Sequence, residues 1–315
     1  MIVCLVTGGA GFIGSHIVDA LLARGDRVRV LDNLSSGRLE NLSAIINRIE
    51  FIEGDVRDET IVQKATAGVE FVFHLAAMVS VPKSMVEPVE AELINSVGTL
   101  NMLQAARSAK ARRLVLSSTC AVYGDEPTLP KTETMPPQPK SPYAISKLAA
   151  ENYCQVFNES FGLKTVVLRY FNVFGPRQDP SSPYSGVISI FVDKMSQGLA
   201  PTIFGDGQQT RDFVFVADVV RANLLAAEVD QAAGQVFNIG SGRQTTINQL
   251  FDHLRRILNN DISPHYAPSR PGDIEHSFSD PGRARTILDW QTQVSLKEGL
   301  RQLIGSVTNP PKFKS

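Results

Sequence analysis

The chain has 315 residues, of which 43% are hydrophobic and 20% are charged, so it can bury a large core and is not a disordered chain. Its 31 Lys and Arg residues balance 32 Asp and Glu residues, and the net charge of −1 excludes the basic footprint typical of nucleic-acid-binding proteins. The three cysteines, at positions 4, 120 and 154, form neither a disulfide framework nor a zinc-binding pattern.

The start of the chain gives a first indication of location. Residues 1–6 are apolar but carry no basic segment, so they predict a buried strand rather than a signal peptide. No apolar run approaches the roughly 18 residues that a membrane-spanning helix needs. With its few scattered cysteines, the chain is expected in the reducing cytoplasm, without membrane or nucleic-acid partners.

Short apolar runs alternate with helical patterns through the first half of the chain. The predicted strands cover residues 2–6, 27–31, 49–53, 71–75, 113–117 and 165–169. The predicted helices cover residues 15–24, 92–109 and 142–161. Because strands alternate with helices, we expect an α/β protein with a doubly wound parallel sheet covered on both faces.

The pattern changes after Phe174. Residues 175–183 are rich in Gly, Pro and Ser and predict a loop, and the elements beyond it are shorter. We therefore predict a first domain over 1–174 and a smaller C-terminal α/β lobe over 175–315. Segments near 212–242 are expected to return to the first domain.

A glycine-rich turn follows the first predicted strand and opens a helix. Glycines 8, 11 and 14 flank Phe12 and Ile13 in the sequence TGGAGFIG. Glycine allows a tight turn and a close backbone approach to a pyrophosphate, and the following helix offers free N–H groups to that anion. Taken without further support, the motif would fit an ordinary β–α turn equally well.

Carboxylates after the next two strands strengthen a dinucleotide interpretation. Asp32 ends the second predicted strand and is followed by Asn33, where a ribose-binding carboxylate is expected. No Arg directly follows Asp32, although Arg38 is near, so NAD is favoured over NADP. Asp55 follows the third strand, where it could meet an adenine amino group, and a helix N-cap is an equally good interpretation.

A second motif combines Tyr143 and Lys147, which share one face of a predicted helix. A phenol with a pKa near 10 is a poor base at neutral pH, and a neighbouring ammonium together with a cationic nicotinamide would lower that value. Ser117 and Thr119 follow the fifth strand and offer hydroxyls to the same reacting oxygen. We therefore predict Thr119, Tyr143 and Lys147 as the catalytic group.

These motifs together resemble the extended short-chain dehydrogenases/reductases of the sugar-nucleotide epimerase/dehydratase group. The matching stretches are TGGAGFIG (7–14), GDVRD (54–58), HLAA (74–77), SSTCAVYGD (117–125), SPYAISK (141–147), RYFNVFGPRQ (169–178), RDFVFVADV (211–219), FNIGSG (237–242) and RPGD (270–273). The resemblance implies a Rossmann domain with bound NAD and a C-terminal sugar-nucleotide lobe. It also implies a homodimer built through the helices near 92–109 and 142–161.

The resemblance assigns further residues to each ligand. The cofactor contacts that it implies are Gly8, Gly11, Phe12, Ile13, Gly14, Asp32, Asn33, Ser35, Gly37, Asp55, Val56, Leu75, Ala76, Ala77, Asn95, Ser117, Tyr143, Lys147 and Tyr170. The substrate contacts that it implies are Val81, Thr119, Tyr143, Asn172, Val187, Phe204, Arg211, Arg270, Asp273 and Ser277. The guanidinium forks of Arg211 and Arg270 suit a diphosphate, although either could form a simple loop ion pair.

The residues after Thr119 separate the reactions within the group. Dehydratases carry an Asp-Glu pair there, whereas this chain has Cys120 and Ala121, so dehydration lacks its acid. Cys120 is interpreted as a small residue packed behind the nicotinamide. The expected activity is that of a UDP-sugar 4-epimerase with transient oxidation at C4, acting on UDP-glucose and UDP-galactose.

Two alternatives remain open at this point. A UDP-glucuronate 4-epimerase or decarboxylase would need a cation or hydroxyl cluster, which Ser80, Lys83 and Ser84 could supply. A non-catalytic NAD-binding sensor is disfavoured because Tyr143 and Lys147 are intact.

The small Ser277 occupies the position where the family adjusts substrate size, so the N-acetylhexosamine substrates are expected as well. The five histidines form no metal-binding pattern, and no metal is predicted. His74 ends the fourth strand and is expected to be structural rather than catalytic.

Overall fold

The computed structural model describes residues 2–179, 186–269 and 274–308. The strands are β1 (Val3–Thr7), β2 (Arg27–Asp32), β3 (Glu50–Glu53), β4 (Phe71–His74), β5 (Arg113–Thr119), β6 (Thr165–Tyr170), β7 (Asn172–Phe174), β8 (Thr202–Phe204), β9 (Thr210–Arg211), β10 (Phe213–Phe215), β11 (Val236–Ile239), β12 (Thr245–Thr246) and β13 (His265–Ala267). The helices are α1 (Phe12–Ala23), α2 (Glu59–Thr66), α3 (Val81–Val86), α4 (Pro88–Glu92), α5 (Gly98–Ser108), α6 (Pro142–Ser160), α7 (Val187–Ser196), α8 (Val216–Glu228), α9 (Ile247–Leu258), α10 (Gly282–Leu288) and α11 (Leu296–Thr308).

Within the described ranges, seven strands form one parallel sheet in the order β11-β6-β5-β4-β1-β2-β3. This arrangement confirms the predicted Rossmann-type α/β fold. Successive strands are added outward in opposite directions from β1 and β4, so a crevice opens at their carboxyl ends. The predicted cofactor and catalytic motifs follow the carboxyl ends of strands in this sheet.

Helices cover both faces of the sheet. On one face α1 and α8 pack their apolar side chains on the sheet, for example Leu21 and Val219. On the other face α2, α5 and α6 do so, for example through Val62, Met102 and Cys154. Central strands buried on both sides are mostly apolar, and β6 is buried along its whole length although it includes Arg169.

A third apolar core lies in the C-terminal part of the chain. It joins α7, α9 and α11 to Phe174 and Phe215, around the two-stranded pairs β7–β10, β9–β12 and β8–β13. Strand β11 lies between elements of this lobe in sequence yet pairs with β6 in the main sheet. The division at residue 174 stays a prediction.

The helix predicted over 92–109 begins differently from the expectation. It starts at Pro88 as α4, passes through one π-helical turn at Leu93–Val97 and continues as α5. A π-helical turn widens the backbone locally and is frequent at functional sites. In the ranges described, no helix is long and apolar enough to span a membrane.

Candidate active site

The glycine-rich turn lies where β1 ends, and each of its glycines is close to neighbouring backbone. Gly8 has φ +68°, and a Cβ there would lie 2.9 Å from the Ala76 nitrogen. A Cβ on Gly14 would lie 2.2 Å from the Gly8 oxygen. Because Gly11 has no side chain to cap α1, the first N–H groups of that helix are available to an anion.

Asp32 joins the turns after β1 and β2. It is 7% exposed, and its carboxylate accepts hydrogen bonds from the Ala10 and Leu34 backbone nitrogens, both at 2.9 Å. A Cβ on Gly37 would lie 2.8 Å from Asp32 Oδ1, so only glycine allows this approach. Burial raises the pKa of Asp32, and the two backbone hydrogen bonds act in the opposite direction.

The carboxylate after β3 is more exposed. Asp55 accepts a hydrogen bond from Asn33 Nδ2 at 2.8 Å and pairs with the Arg57 guanidinium at 2.8 Å. This pairing lowers the pKa of Asp55 to about 2. Asp55 caps no helix, since the side chain that caps α2 is Asp58. Ser35 is exposed in the loop after β2, and Val56 is buried against Gly98.

The turn after β4 lies against the glycine-rich turn. The Leu75 and Ala76 N–H groups both donate to Thr7 Oγ1 at 3.2 Å. Asn95, in the π-helical turn, is 1% exposed. Its Oδ1 accepts a hydrogen bond from the Met78 N–H at 2.8 Å, and its Nδ2 donates to the Met78 carbonyl at 3.1 Å. Asn95 was predicted to contact the cofactor directly, and that role stays a prediction.

The predicted catalytic group is brought together at the carboxyl end of β5. Thr119 is the last residue of β5, and its side chain acts on the Tyr143 phenol in the direction that lowers the pKa of that phenol. Tyr143 and Lys147 stand one turn apart on α6, which starts at Pro142 and is capped by the Ser141 hydroxyl on Ala144 N at 3.2 Å. Lys147 is 3% exposed.

Burial dominates the electrostatics of this group. It raises the pKa of Tyr143 to about 12, and the hydrogen bond with Thr119 acts in the opposite direction. Burial also lowers the pKa of Lys147 to about 8, and Glu151, one turn further along α6, raises it. The expected lowering of the phenol pKa by Lys147 together with a cationic nicotinamide stays a prediction, because without a bound cation burial sets the direction of the shift.

Cys120 follows Thr119 in a single 3₁₀ turn. Burial raises the pKa of its thiol to about 12, so the sulfur is a neutral thiol at physiological pH. A neutral thiol with such a pKa cannot act as the acid or base that a dehydratase places here.

The substrate side is built from short strands of the C-terminal lobe. Arg211 ends β9, and its guanidinium donates to the Thr210 carbonyl at 2.8 Å. Ser277 is 8% exposed and donates its N–H to the same carbonyl at 3.3 Å, so both residues are held by one backbone group. Arg270 and Asp273 lie outside the described residues. The other predicted substrate residues are placed at element ends: Val81 begins α3, Asn172 begins β7, Val187 begins α7 and Phe204 ends β8.

Ser80, Lys83 and Ser84, considered as a binding cluster for the carboxylate of a uronate, each have a different partner within the protein. Ser80 caps α3 by accepting from Lys83 N at 2.9 Å, and Lys83 pairs with Glu87 at 3.6 Å in an exposed position. Ser84 is fully buried and accepts the Tyr143 N–H at 3.1 Å. Ser84 therefore supports the catalytic helix.

Sequence reasoning missed a buried ion pair behind the catalytic group. Glu151 and Arg169 are 4% exposed each and meet at 2.6 Å. The Ser118 hydroxyl donates to Glu151, and Arg169 donates to the Tyr123 hydroxyl at 3.0 Å. Two signals were available: a charge within the apolar strand β6, and a carboxylate one turn after Lys147. Tyr170 also turns its hydroxyl to a buried partner, Asn223, at 2.8 Å.

The site fits NAD on its own geometry. The glycines let the turn pack closely on neighbouring backbone while the first N–H groups of α1 stay without a side-chain cap, and Asp32, Tyr143 and Lys147 lie where the ribose and reactive-end contacts are predicted. Among the described residues, no group of three or more His, Cys, Asp or Glu side chains is placed to hold a metal ion.

Comparison with known proteins agrees with this geometry. The model of the NAD dependent epimerase/dehydratase family matches residues 4–240. The chain therefore belongs to this family of NAD-dependent enzymes.

Three of the similar proteins are 4-epimerases that align with this chain over nearly its whole length. The UDP-glucose 4-epimerase of Mycolicibacterium smegmatis is 42% identical over 304 residues, covering 95% of this chain and 96% of the relative. The UDP-glucose 4-epimerase of Thermotoga maritima, crystallised with UDP-glucose, is 44% identical with a TM-score of 0.93, covering 98% and 99% of the two chains. The UDP-N-acetylglucosamine 4-epimerase of Methanobrevibacter ruminantium, in complex with UDP-N-acetylmuramic acid, is 41% identical with a TM-score of 0.93 and 97% coverage of both chains.

Proposed function

We propose that this protein is a UDP-sugar 4-epimerase that interconverts UDP-glucose with UDP-galactose and UDP-GlcNAc with UDP-GalNAc. The observation that carries the proposal is the placement of three residues at the carboxyl end of the sheet: Thr119 ends β5, and Tyr143 and the buried Lys147 stand one turn apart on α6. Relatives named for both substrate pairs support it.

In this proposal Tyr143 takes the proton from the sugar 4-hydroxyl and later returns it. Bound NAD supplies the hydride acceptor for C4 and a positive charge beside the phenol. That charge is needed because burial holds the pKa of Tyr143 near 12 in the protein itself. Thr119 holds the reacting oxygen, and Lys147 supports the cofactor ribose and the phenolate.

Inversion requires the keto sugar to turn over between the two hydride transfers. The site must therefore hold the diphosphate firmly and the sugar loosely. Arg211, fixed by the Thr210 carbonyl, is the described cation proposed for the diphosphate. Ser277 is bonded to the same carbonyl, and its small side chain is proposed to leave space for a 2-N-acetyl group.

The alternatives are less well supported by the residues present. Cys120 and Ala121 offer no carboxyl group for dehydration. The UDP-glucuronic acid 4-epimerase of Bacillus cereus is 32% identical to this chain. The hydroxyls of Ser80 and Ser84 are already used within the protein, so they do not favour a uronate.

We propose a homodimer as the working form. Val89, Leu93 and Val97 form an exposed apolar stripe along α4 and the π-helical turn, and Ile145 and Val156 are exposed on α6. Apolar faces of this kind on two long helices suit packing against a second copy. We also propose a cytoplasmic location, supported by three free cysteines.

The function is tested by incubating the purified protein separately with UDP-glucose, UDP-GlcNAc and UDP-glucuronate, without added NAD, in D₂O. We expect the two neutral hexose nucleotides to be converted to their 4-epimers. NMR should show the original C4 hydrogen retained, because the hydride returns to the carbon it left. Deuterium at C4 would contradict the mechanism, and conversion of UDP-glucuronate alone would contradict the substrate assignment.

Substrate size is tested by Ser277→Tyr. The larger ring should lower activity on UDP-GlcNAc at least tenfold relative to UDP-glucose, because it fills the space proposed for the N-acetyl group. Ser279→Ala is the matched control two residues further along, where the hydroxyl donates to Asp212. An unchanged ratio in Ser277→Tyr would remove Ser277 from the specificity argument.

A further inference from the structure

A network of hydrogen bonds between buried polar groups runs from the glycine-rich turn to the catalytic helix, and His74 lies in its middle. His74 is 1% exposed at the end of β4. Its Nδ1 lies 2.7 Å from Thr7 Oγ1, and its Nε2 lies 3.1 Å from Thr99 Oγ1. Thr7 ends β1, and Thr99 lies in the first turn of α5.

The direction of each hydrogen bond in this network is fixed by the groups that His74 contacts. The Thr99 hydroxyl donates to the Asn95 carbonyl at 2.6 Å, so toward the imidazole it can only accept. Nε2 of His74 must therefore carry the hydrogen, and Nδ1 must accept from the Thr7 hydroxyl. The Thr7 oxygen then keeps its lone pairs for the Leu75 and Ala76 N–H groups.

The other end of this hydrogen-bond network reaches the catalytic helix α6. Asn95 Nδ2 donates to Ser146 Oγ at 3.0 Å, and the Ser146 hydroxyl donates to the Tyr143 carbonyl at 2.9 Å. The π-helical turn thus places the Asn95 carbonyl against Thr99 and its amide against α6. Every side-chain N–H and O–H donor in this network is used in a hydrogen bond.

We propose that His74, as the neutral Nε2–H tautomer, is a positioning residue that ties the cofactor-binding turn at Thr7 to the π-helical turn supporting Tyr143. It touches neither substrate nor reacting atoms. It fixes the Leu75–Ala76 backbone beside Gly8 on one side and the Thr99–Asn95 carbonyl contact on the other. The proposal rests on the proposed function only for its kinetic readout.

The surroundings of His74 support a neutral ring. Burial, and secondarily the charge of Lys147, lower the pKa of His74 to about 3. A proton on Nδ1 would also face the Thr7 oxygen and displace the hydroxyl hydrogen that now points there. A charged ring would therefore break the contact on the cofactor side.

The tautomer is tested directly by NMR of the full-length protein labelled with ¹⁵N-histidine. Single His→Gln variants at positions 16, 253, 265 and 276 identify His74 as the signal common to all four spectra. We expect an Nε2–H tautomer that does not titrate between pH 5 and 8. A Nδ1–H tautomer, or titration in that range, would overturn the proposal.

The positioning role is tested by Thr99→Val, which keeps the shape and removes the hydroxyl that His74 and Asn95 share. We expect the release of bound NAD to become about tenfold faster and kcat to fall about tenfold, with KM for the UDP-sugar within about twofold. Thr99→Ser keeps the hydroxyl and should behave as the unmodified protein.

Thr66→Val is the matched control for a purely structural effect. Thr66 is also buried and also donates to the carbonyl four residues back, Val62, at 2.9 Å, but it lies in α2 outside the chain of contacts. It should lower the melting temperature without changing NAD release or kcat. If Thr99→Val behaves in the same way, the positioning role is refuted, and NAD release decides this even if no UDP-sugar is converted.

Discussion

The two ends of the proposed cofactor site both lie at the carboxyl end of the main sheet but are built differently. At the reactive end, β4 and β5 lead into His74, Thr119 and the α6 side chains, and Lys147 is 3% exposed. At the adenosine end, β2 and β3 lead into Asn33 and Asp55, which are joined to each other and to Arg57 in contact with solvent.

The difference has an energetic consequence. Groups at the reactive end are shielded from solvent and form their hydrogen bonds within the protein. Removing one partner therefore leaves the other buried without a hydrogen bond. Groups at the adenosine end can exchange a lost partner for water. Mutations should therefore cost most near Tyr143 and least near Asp55.

The largest effect is expected from Tyr143→Phe. The ring remains, but the hydroxyl proposed as acid and base is lost, together with its interaction with Thr119. We expect kcat to fall about 10³-fold, within the range of general acid–base catalysis, while NAD content is unchanged. Tyr153→Phe, at an exposed position on the same helix, is the control. Activity within tenfold of the original would show that another group moves the proton.

Breaking the buried ion pair should have the largest effect on stability. Glu151→Gln leaves the Arg169 charge buried beside a neutral amide, and we expect a loss of about 3–5 kcal/mol in the free energy of unfolding. Urea unfolding at matched NAD content measures it.

An exposed ion pair in the same molecule provides the comparison for that loss. Glu70→Gln breaks the pair with Arg112, whose atoms lie 3.7 Å apart at the surface, and should cost less than about 1 kcal/mol. Equal losses for the two variants would mean that burial does not set the cost.

The contrast between the two ends also explains what could be predicted from the sequence. The succession of strands and helices along the chain follows from the periodicity of apolar residues. The positions of Gly8, Asp32, Thr119 and Tyr143 follow from motifs beside those elements, and both kinds of signal are local in the sequence. The contact of Glu151 with Arg169 depends on the packing of α6 on β6, which no local pattern specifies.

The same limit applies to the helix before the catalytic one. Its apolar stripe predicted a continuous helix over 92–109, whereas a π-helical turn interrupts it at Asn95. The widening places the Asn95 carbonyl and amide on different partners, Thr99 and Met78. Such a choice between two hydrogen-bond registers is made by tertiary contacts.

Asp32→Asn tests the junction between the two ends. The amide can accept only through one oxygen, so either the Ala10 or the Leu34 N–H loses its partner and the negative charge disappears. We expect NAD to bind about tenfold more weakly, and the preference over NADP to narrow. Equilibrium titration of the protein stripped of cofactor measures both. Ser36→Ala, at an exposed position in the same loop, is the control, and an Asp32→Asn variant with unchanged NAD affinity would contradict the ribose assignment.

The smallest effect is expected at Asp55 and depends on pH. The pairing with Arg57 lowers its pKa from 3.8 to about 2, so the folded protein binds this proton less readily than the unfolded chain. The resulting stabilisation is complete above about pH 4 and is lost as the pH falls toward about 2. Because the pair is partly exposed, we expect the Asp55→Asn variant to be less stable by under about 1 kcal/mol at pH 6. Comparing urea unfolding of the two proteins at pH 6 and pH 3 removes the titration of the shared carboxylates. The difference should shrink at pH 3, and a difference that grows on acidification would show that Asp55 is strained rather than stabilised by its cation.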